Sequence, residues 1–404
     1  MIKIGIIREG KIPPDARTPL TPQQCQEVSE RFSLEVIVQP SRVRCFSDEE
    51  YAAVGVRVQE DVSNCDFLLG VKEVPISQLI PGKTYLFFSH TVKKQPHNRS
   101  LLQAILEQKI RLIDYERLTD DRGDRLIAFG FYAGLVGAHN ALWTYGKRSG
   151  LFTLPRMYLC RDYAEVKTSY CNLKLPPIRI VLTGSGRVAA GVIRNLHDMN
   201  IRQVAPRDFL KKDFDRPVFT QLFPQDYVQH RSGPRIFDKA HFYAHGDEYI
   251  SIFKPYTHCT DIFINGIYYD PRAPKFFTLA DMAEATFRIQ VIADISCDLA
   301  PHGAVPTTIR PSTIAEPVYG IHRFTGKECP PFTPEGIDVM AIDNLPSELP
   351  RDASGFFGQQ LIANVLPELL QGLDRPIIRR ATIAEEGHLT EPYRYLSDYV
   401  YEMA

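Results

Sequence analysis

The apolar run Ile178-Arg-Ile-Val-Leu182 passes directly into Thr183-Gly-Ser-Gly-Arg-Val-Ala-Ala-Gly191, and residues 188–199 then repeat apolar positions at helical spacing. A buried strand that must turn at once into a helix constrains the fold more than any other feature of the chain. Gly184 and Gly186, with Ala189 in the third place, permit a tight turn whose backbone amides, with Ser185 between them, face a pyrophosphate at the helix N-terminus. The strand before and the helix after give this short motif its meaning. Arg187, just inside the turn, is placed to touch phosphate. The next strand, expected around residues 203–205, should end in an acidic residue if it is to hold a ribose 2′-hydroxyl, but it runs into Pro206-Arg207-Asp208. Arg207 suits the extra phosphate of NADP, which is favoured as cofactor, while Asp208 keeps NAD possible.

The first third of the chain repeats the alternation of strand and helix. Strands are expected at residues 1–7, 34–38, 67–71, 85–88 and 111–113, with helices at 21–32, 47–54 and 97–108. Short continuous apolar runs between helices are the pattern of a parallel sheet buried on both faces. A long helix is expected over residues 126–145, with Gly130, Gly134 and Gly137 making it a tightly packed connector between domains. Residues 209–257 are polar and aromatic without clear periodicity and are treated as an insertion. Further strands are expected at 261–264 and 290–293, and one long helix at 353–371. The fold class is α/β: two Rossmann-like, doubly wound parallel-sheet domains with a cleft between them.

Three successive strands of the first domain end in ionisable groups: Lys72-Glu73, His90, and Asp114-Tyr115-Glu116. In an open parallel sheet such ends meet in one place, outside the carboxyl ends of the strands. His90 is the natural proton carrier near neutrality, and burial would tune Lys72. Arg17, in the loop after the first strand, and Arg125 are expected at the same edge, where paired guanidinium groups suit a dicarboxylate. The alternative is an interdomain ion-pair network.

Composition excludes other classes. Lys plus Arg is 47 and Asp plus Glu is 48 over 404 residues, a net charge of −1, so no nucleic-acid partner is expected. No apolar run approaches the roughly 20 residues of a membrane span. The eight cysteines are scattered without a CxxC, so neither a metal site nor a disulfide framework is expected. The opening residues lack a basic stretch followed by a long apolar one, and a cytoplasmic location is expected.

Longer motifs carry a family resemblance across essentially the whole chain: Ala16-Arg17-Thr-Pro-Leu-Thr-Pro22, Gly70-Val-Lys72-Glu73, Lys83-Thr-Tyr-Leu-Phe-Phe-Ser-His90, Ile110-Arg-Leu-Ile-Asp-Tyr-Glu116, Ala128-Phe-Gly-Phe-Tyr-Ala-Gly134, Phe263-Ile-Asn-Gly-Ile-Tyr268, Asp294-Ile-Ser-Cys-Asp298 and Ile342-Asp-Asn-Leu-Pro-Ser347. The sequence resembles the lysine–2-oxoglutarate reductase domain of the bifunctional lysine-degrading enzyme. More distantly it resembles the L-lysine-forming saccharopine dehydrogenases, within the alanine dehydrogenase/transhydrogenase superfamily. The resemblance implies an oxidoreductase joining L-lysine and 2-oxoglutarate into saccharopine, with Lys72 and His90 as the acid–base pair. It places Arg17, Lys93, Arg125 and Phe129 around the substrate, with Glu73 and Glu116 tuning the bases. It places Gly184, Ser185, Gly186, Arg187, Val188, Asn265, Gly266 and Asp343 at the cofactor, joined by Arg207. It implies a substrate domain of residues 1–132 plus 348–404 and a dinucleotide-binding domain of residues 133–347. The semialdehyde-forming half of the bifunctional enzyme is not expected. Two departures stand out: Thr183 replaces a glycine of the NAD-dependent enzymes, and Pro206-Arg207 replaces their acidic residue. Another amino-acid or opine dehydrogenase, such as an alanine dehydrogenase, and a non-catalytic lysine- or nucleotide-binding protein remain alternatives. The oligomeric state is open.

Overall fold

The computed structural model describes residues 1–234 and 236–401; residue 235, within the expected insertion, and residues 402–404, at the end of the expected return segment, lie outside the described residues. The chain forms two compact units, one of Met1–Phe129 with the segment from Pro350 onward, the other of Gly130–Leu349. No helix among the described residues is long and apolar enough to cross a membrane.

The first unit begins with β1 (Lys3–Ile6), α1 (Pro22–Phe32), β2 (Glu35–Val38), α2 (Asp48–Ala53), β3 (Arg57–Val58), β4 (Phe67–Leu69), β5 (Thr84–Phe87), α3 (Arg99–Glu107) and β6 (Arg111–Asp114). These six strands pair in parallel. Alternate strand residues enter two different apolar clusters, Ile4, Val36, Phe67 and Leu86 on one face and Ile37, Leu68, Tyr85 and Leu112 on the other. The sheet is therefore buried on both faces, as its continuous apolar runs require. Helix α1 starts where Thr21 and Gln24 cap each other's backbone amides and Pro22 takes the first helical position. Helix α2 repeats the device with Ser47 and Glu50.

The second unit carries α4 (Gly130–Ser149), α5 (Tyr163–Thr168), β7 (Arg179–Thr183), α6 (Arg187–Asp198), β8 (Arg202–Gln203), α7 (Pro206–Lys211), β9 (Val218–Leu222) and α8 (Pro224–Tyr227). A hairpin of β10 (Val228–His230) and β11 (Tyr249–Ser251) encloses α9 (Lys239–Ala244). Then follow α10 (Lys254–Thr257), β12 (Ile262–Asn265), α11 (Leu279–Met282), β13 (Val291–Asp294), β14 (Tyr319–His322), β15 (Glu328–Cys329) and β16 (Gly336–Met340). The sheet order is β15-β14-β16-β13-β12-β7-β9-β8. From Pro350 the chain adds α12 (Pro350–Asn364), α13 (Leu366–Gln371), β17 (Thr382–Glu385) and β18 (His388–Leu389), giving the order β18-β17-β6-β5-β4-β1-β2-β3. Both sheets are mainly parallel with antiparallel edges, and the α/β expectation holds.

Four local expectations are corrected. The connector helix begins at Gly130 rather than 126, because Leu126 N–H donates to Leu118 O at 2.9 Å and Thr119 bridges Arg125, holding that stretch extended. It runs on to Ser149, with Lys147 and Arg148 in the last turn complementing the helix dipole. Its close approach is to α6: a Cβ on Gly134 would lie 1.8 Å from Val188 O, and one on Gly191 would lie 1.9 Å from Phe131 O. The expected helix over 353–371 breaks into α12 and α13, since Pro367 has no N–H and its ring clashes with the preceding turn. Residues 209–257 are no appendage, for β9 sits inside the sheet between β7 and β8. On the side of β7 away from β12 the neighbouring strand is consequently β9 and not the one leading to Arg207.

Candidate functional site

In the first unit the carboxyl ends of β1, β4, β5 and β6 bring together residues far apart in sequence. Glu73, after β4, receives His90 Nδ1 on Oε1 at 2.6 Å and Lys11 Nζ on Oε2 at 2.8 Å. Burial opposes its charge, but the hydrogen bond and charge of His90, with Lys11, outweigh burial and pull Glu73 down to about 2. An anionic carboxylate can only accept, so Nδ1 of His90 must carry a hydrogen and Nε2 is left as the nitrogen that exchanges protons. His90 itself sits in the left-handed region, φ 54°, and its ring stacks on Phe88. The loop that carries it is fixed from β6: Asp114 accepts from Ser89 N–H at 3.1 Å and from the Ser89 hydroxyl. Burial raises the Asp114 carboxyl above its ordinary range.

Lys72 faces opposite pressures. Burial, then the charges of Arg17 and Lys11, lower its ammonium to about 8, against weaker support from Glu73 and Asp15. Glu116 receives Arg125 Nη2 at 2.6 Å and Lys93 Nζ at 3.3 Å. Burial opposes its charge too, yet Lys93, Arg125 and His90 hold it below the usual carboxylate range. Side chains of Lys93 and Arg125 remain 51% and 47% exposed, so an incoming anion can reach them. Arg17 is different. It is buried, its fork grips Asp15 through Nε at 3.0 Å and Nη2 at 2.6 Å, and its guanidinium lies 4.2 Å over the Phe129 ring. Phe129 in turn stacks on Phe357 at 4.8 Å.

Three residues of the β1 loop escaped the sequence reading: Glu9, Lys11 and Asp15. Glu9 accepts Val71 N–H at 2.6 Å and Lys72 N–H at 2.9 Å, tying the loop after β1 to the loop that carries Lys72. Burial pushes its carboxyl up to about 8, although those two donors favour the charged form. The signal was present as Arg8-Glu9-Gly-Lys11 directly after the first strand, a run of charges that reads equally well as a solvated loop.

In the second unit the glycine turn stands on a buried polar ladder. Thr183 Oγ1 donates to Asn265 Oδ1 at 2.9 Å, Asn265 Nδ2 donates to Asp294 Oδ1 at 2.9 Å, and Thr308 Oγ1 donates to Asp294 Oδ2 at 2.6 Å. Burial pushes Asp294 up to about 6. Asn265 thus supports the turn from beneath, its side chain spent within the ladder. Gly184 has φ +114°, and a Cβ there would lie 2.6 Å from Gly266 O, whereas one on Gly186 would meet nothing within 4 Å. Ser185, Gly186 and Arg187 are exposed at the N-terminus of α6, while Val188 packs on Gly266. The start of this 12-residue helix has no side-chain cap and fits a pyrophosphate. Asp343 is exposed after β16. Arg207 lies on the exposed first turn of α7, beyond β8, and is separated from the turn-bearing strand by β9.

Residues 5–136 match the family described as alanine dehydrogenase/PNT, N-terminal domain. Rat alpha-aminoadipic semialdehyde synthase, mitochondrial, is 31% identical over 436 residues, covering 95% of this chain and 46% of its own length. Saccharopine dehydrogenase (NAD(+), L-lysine-forming) from Emericella nidulans is 28% identical over 95% of this chain and 96% of its own. Over nearly its whole length the chain is similar to members of the lysine–2-oxoglutarate reductase/saccharopine dehydrogenase family of oxidoreductases. It spans less than half the length of the alpha-aminoadipic semialdehyde synthases it matches. Among solved structures, an L-alanine dehydrogenase aligns with TM-score 0.67 at 14% identity, covering 98% of this chain and 99% of its own. A transhydrogenase from Sinorhizobium meliloti aligns with TM-score 0.61 at 14% identity, over 96% and 100%. Those two show the shared fold. Dehydrogenases of this family use a nicotinamide cofactor, and the glycine turn fits one.

Proposed function

We propose that the chain catalyses the reversible, NAD(P)-dependent reductive condensation of L-lysine with 2-oxoglutarate to saccharopine, with NADPH the favoured donor. One observation carries the reading: on adjacent strand ends, a lysine eased toward neutrality stands with a histidine whose tautomer an anionic glutamate fixes. The names of the fungal relatives, which cover nearly the whole chain, support the same reaction.

The substrate ε-amine must be neutral to attack the 2-oxo carbon. Lys72, near 8, takes the proton released at nitrogen as the C–N bond forms. His90, protonated on both nitrogens, gives the Nε2 proton to the former carbonyl oxygen, and the proton taken up by Lys72 passes to the resulting hydroxyl, which leaves as water. Exposed Arg125 and Lys93 hold substrate carboxylates, while Arg17, engaged by Asp15, acts on the charge of Lys72. Gly184, Ser185, Gly186 and Arg187 hold the pyrophosphate of the cofactor. A bound nicotinamide would supply the hydride needed at the imine carbon. Each acid–base group is worth roughly 10²–10⁴-fold in rate.

NADPH is favoured because no carboxylate directly follows β9, the neighbour of β7: the chain continues Phe223-Pro224, and Asp226 spends Oδ2 on Phe223 N–H at 2.8 Å. Purified protein given NADPH or NADH with either lysine plus 2-oxoglutarate or ammonia plus pyruvate tests the reading, with products identified by mass spectrometry. Saccharopine from the first pair is expected. Turnover of ammonia and pyruvate alone would place the chain among other amino-acid dehydrogenases.

A further inference from the structure

The turn that carries Lys93 is bounded by backbone that residues other than glycine rarely adopt. Thr91–Lys93 form a single 3₁₀ turn, entered through His90 at φ 54° and left through Lys94 at φ 52°. Left-handed backbone is unfavourable for a residue with a Cβ and persists only where its surroundings impose it. At the His90 end the constraint comes from Asp114, which accepts Ser89 N–H at 3.1 Å, and from the Ser89 hydroxyl, 2.8 Å from that of Thr91. At the Lys94 end it comes from far along the chain.

A 3₁₀ turn, Glu391–Leu396, runs into a short helical turn, Ser397–Tyr401. Leu396 and Val400 are buried in the same apolar cluster as Leu101, Leu102 and Ile105 of α3, and Gln103 Nε2 donates to Val400 O at 2.8 Å. The segment is thereby anchored on α3. From that anchor Asp398 accepts Lys94 Nζ on both carboxylate oxygens at 2.8 Å, and Tyr399 donates its hydroxyl to Gln95 O at 2.5 Å. Lys94 Nζ also lies 5.7 Å over the Tyr395 ring. The hydrogen bond from Lys94 holds the Asp398 carboxyl below its usual range. Lys94 and Gln95 are thus gripped, while Lys93, the residue before them, keeps a half-exposed side chain 3.3 Å from Glu116. A lysine stem is long and flexible, so the place of its backbone decides which anions its ammonium can reach.

We propose that residues 395–399 form a strap that positions Lys93, which makes Asp398 and Tyr399 positioning residues for recognition of a substrate carboxylate. The inference rests on the reading of Lys93 as a holder of substrate carboxylates. An ion pair as exposed as Lys94–Asp398, at 37% and 54%, adds little to stability by itself. Its effect is local: with Tyr399 it holds the left-handed exit of the turn from which Lys93 projects.

Steady-state kinetics, with calorimetric titration of 2-oxoglutarate into the NADPH complex, tests it on wild type, Asp398→Asn/Tyr399→Phe, Lys93→Met and the variant combining all three changes. The strap variant, whose side chains keep their shape, is expected to raise KM and Kd for 2-oxoglutarate about threefold or more, with kcat and NADPH affinity unchanged. Lys93→Met should raise both about tenfold or more. Because the strap acts through Lys93, adding its changes to Lys93→Met should alter nothing further. Glu391→Gln, which breaks the exposed pair with Arg394 in the same segment, should behave as wild type. Wild-type KM and Kd in the strap variant, although Lys93→Met is impaired, overturn the proposal. So do strap and Lys93 effects that multiply independently, or an equal loss in Glu391→Gln. Wild-type values in Lys93→Met overturn the reading of Lys93 itself, and the strap's role with it.

Discussion

At the ends of β4, β5 and β6 the functional side chains are ionisable, and most lean on another: His90 and Lys11 on Glu73, Arg125 and Lys93 on Glu116. At the ends of β7, β9 and β12 the surface is glycine amide and tyrosine ring, with Asn265 and Asp294 sealed beneath it. The two ends share a sheet architecture and differ in chemistry. Where protons must move, burial and neighbouring charges have displaced Lys72 and Glu73 from their ordinary values. Around the glycine turn, shape and exposed backbone take the place of displaced charges. The difference teaches that rate and cofactor affinity should be separable by mutation.

The strongest attempt to break that separation is at the acid–base pair. Lys72→Met and His90→Gln are each expected to lower turnover by roughly 10²–10⁴-fold while NADPH affinity, read by fluorescence, is unchanged. Turnover untouched in both variants would remove the proton chemistry from this sheet end. The mirror experiment is Gly184→Val. With φ +114° and Gly266 O 2.6 Å from the new Cβ, the turn must distort. Cofactor affinity should fall at least about tenfold, while the pH at which rate responds to Lys72 stays put.

The comparison also explains what the sequence revealed. Strand-end groups such as Lys72, His90 and Glu116 are legible because a parallel strand delivers its last residue to a known edge. The capped start of α1 is legible because Thr21, Pro22 and Gln24 are local neighbours. What resists reading is non-local. Nothing in Val218-Phe-Thr-Gln-Leu222 says that it enters the sheet beside β7, ahead of the earlier β8. Nor could Asp15 be foreseen as the partner that occupies the fork of Arg17, or Glu9 as the clamp on the backbone of Lys72.

Two smaller effects sharpen the contrast. Lys11 helps hold Lys72 low, so Lys11→Met should raise the Lys72 value toward that of an ordinary lysine. Because condensation needs neutral Lys72, its rate rises with pH through that value. The limb near 8 should therefore move to higher pH by up to about one unit in a pH–rate profile. An unmoved limb would detach Lys11 from the reacting amine. Glu9 supplies a stability test. Its carboxyl ordinarily titrates near 4.5 and is pushed to about 8, so between those values the folded chain keeps a proton the unfolded chain has lost. Wild-type stability must fall as pH rises across that window and be indifferent to Glu9 below it. Glu9→Gln lacks the titration, so its melting temperature relative to wild type should rise by a few degrees between pH 5 and pH 8.5. A constant offset would mean that Glu9 behaves as a solvated carboxylate.

The proposed function requires the ionisable groups of one sheet and the glycine turn of the other to serve a single condensation of an amine with a 2-oxo acid. Oxidation of NADPH, followed by absorbance with lysine and 2-oxoglutarate together and with each omitted in turn, tests it most directly. Oxidation is expected to require both substrates and to yield saccharopine in equal amount to the NADPH consumed. Oxidation that proceeds with one substrate omitted, or none with both present although NADPH binds, would contradict it.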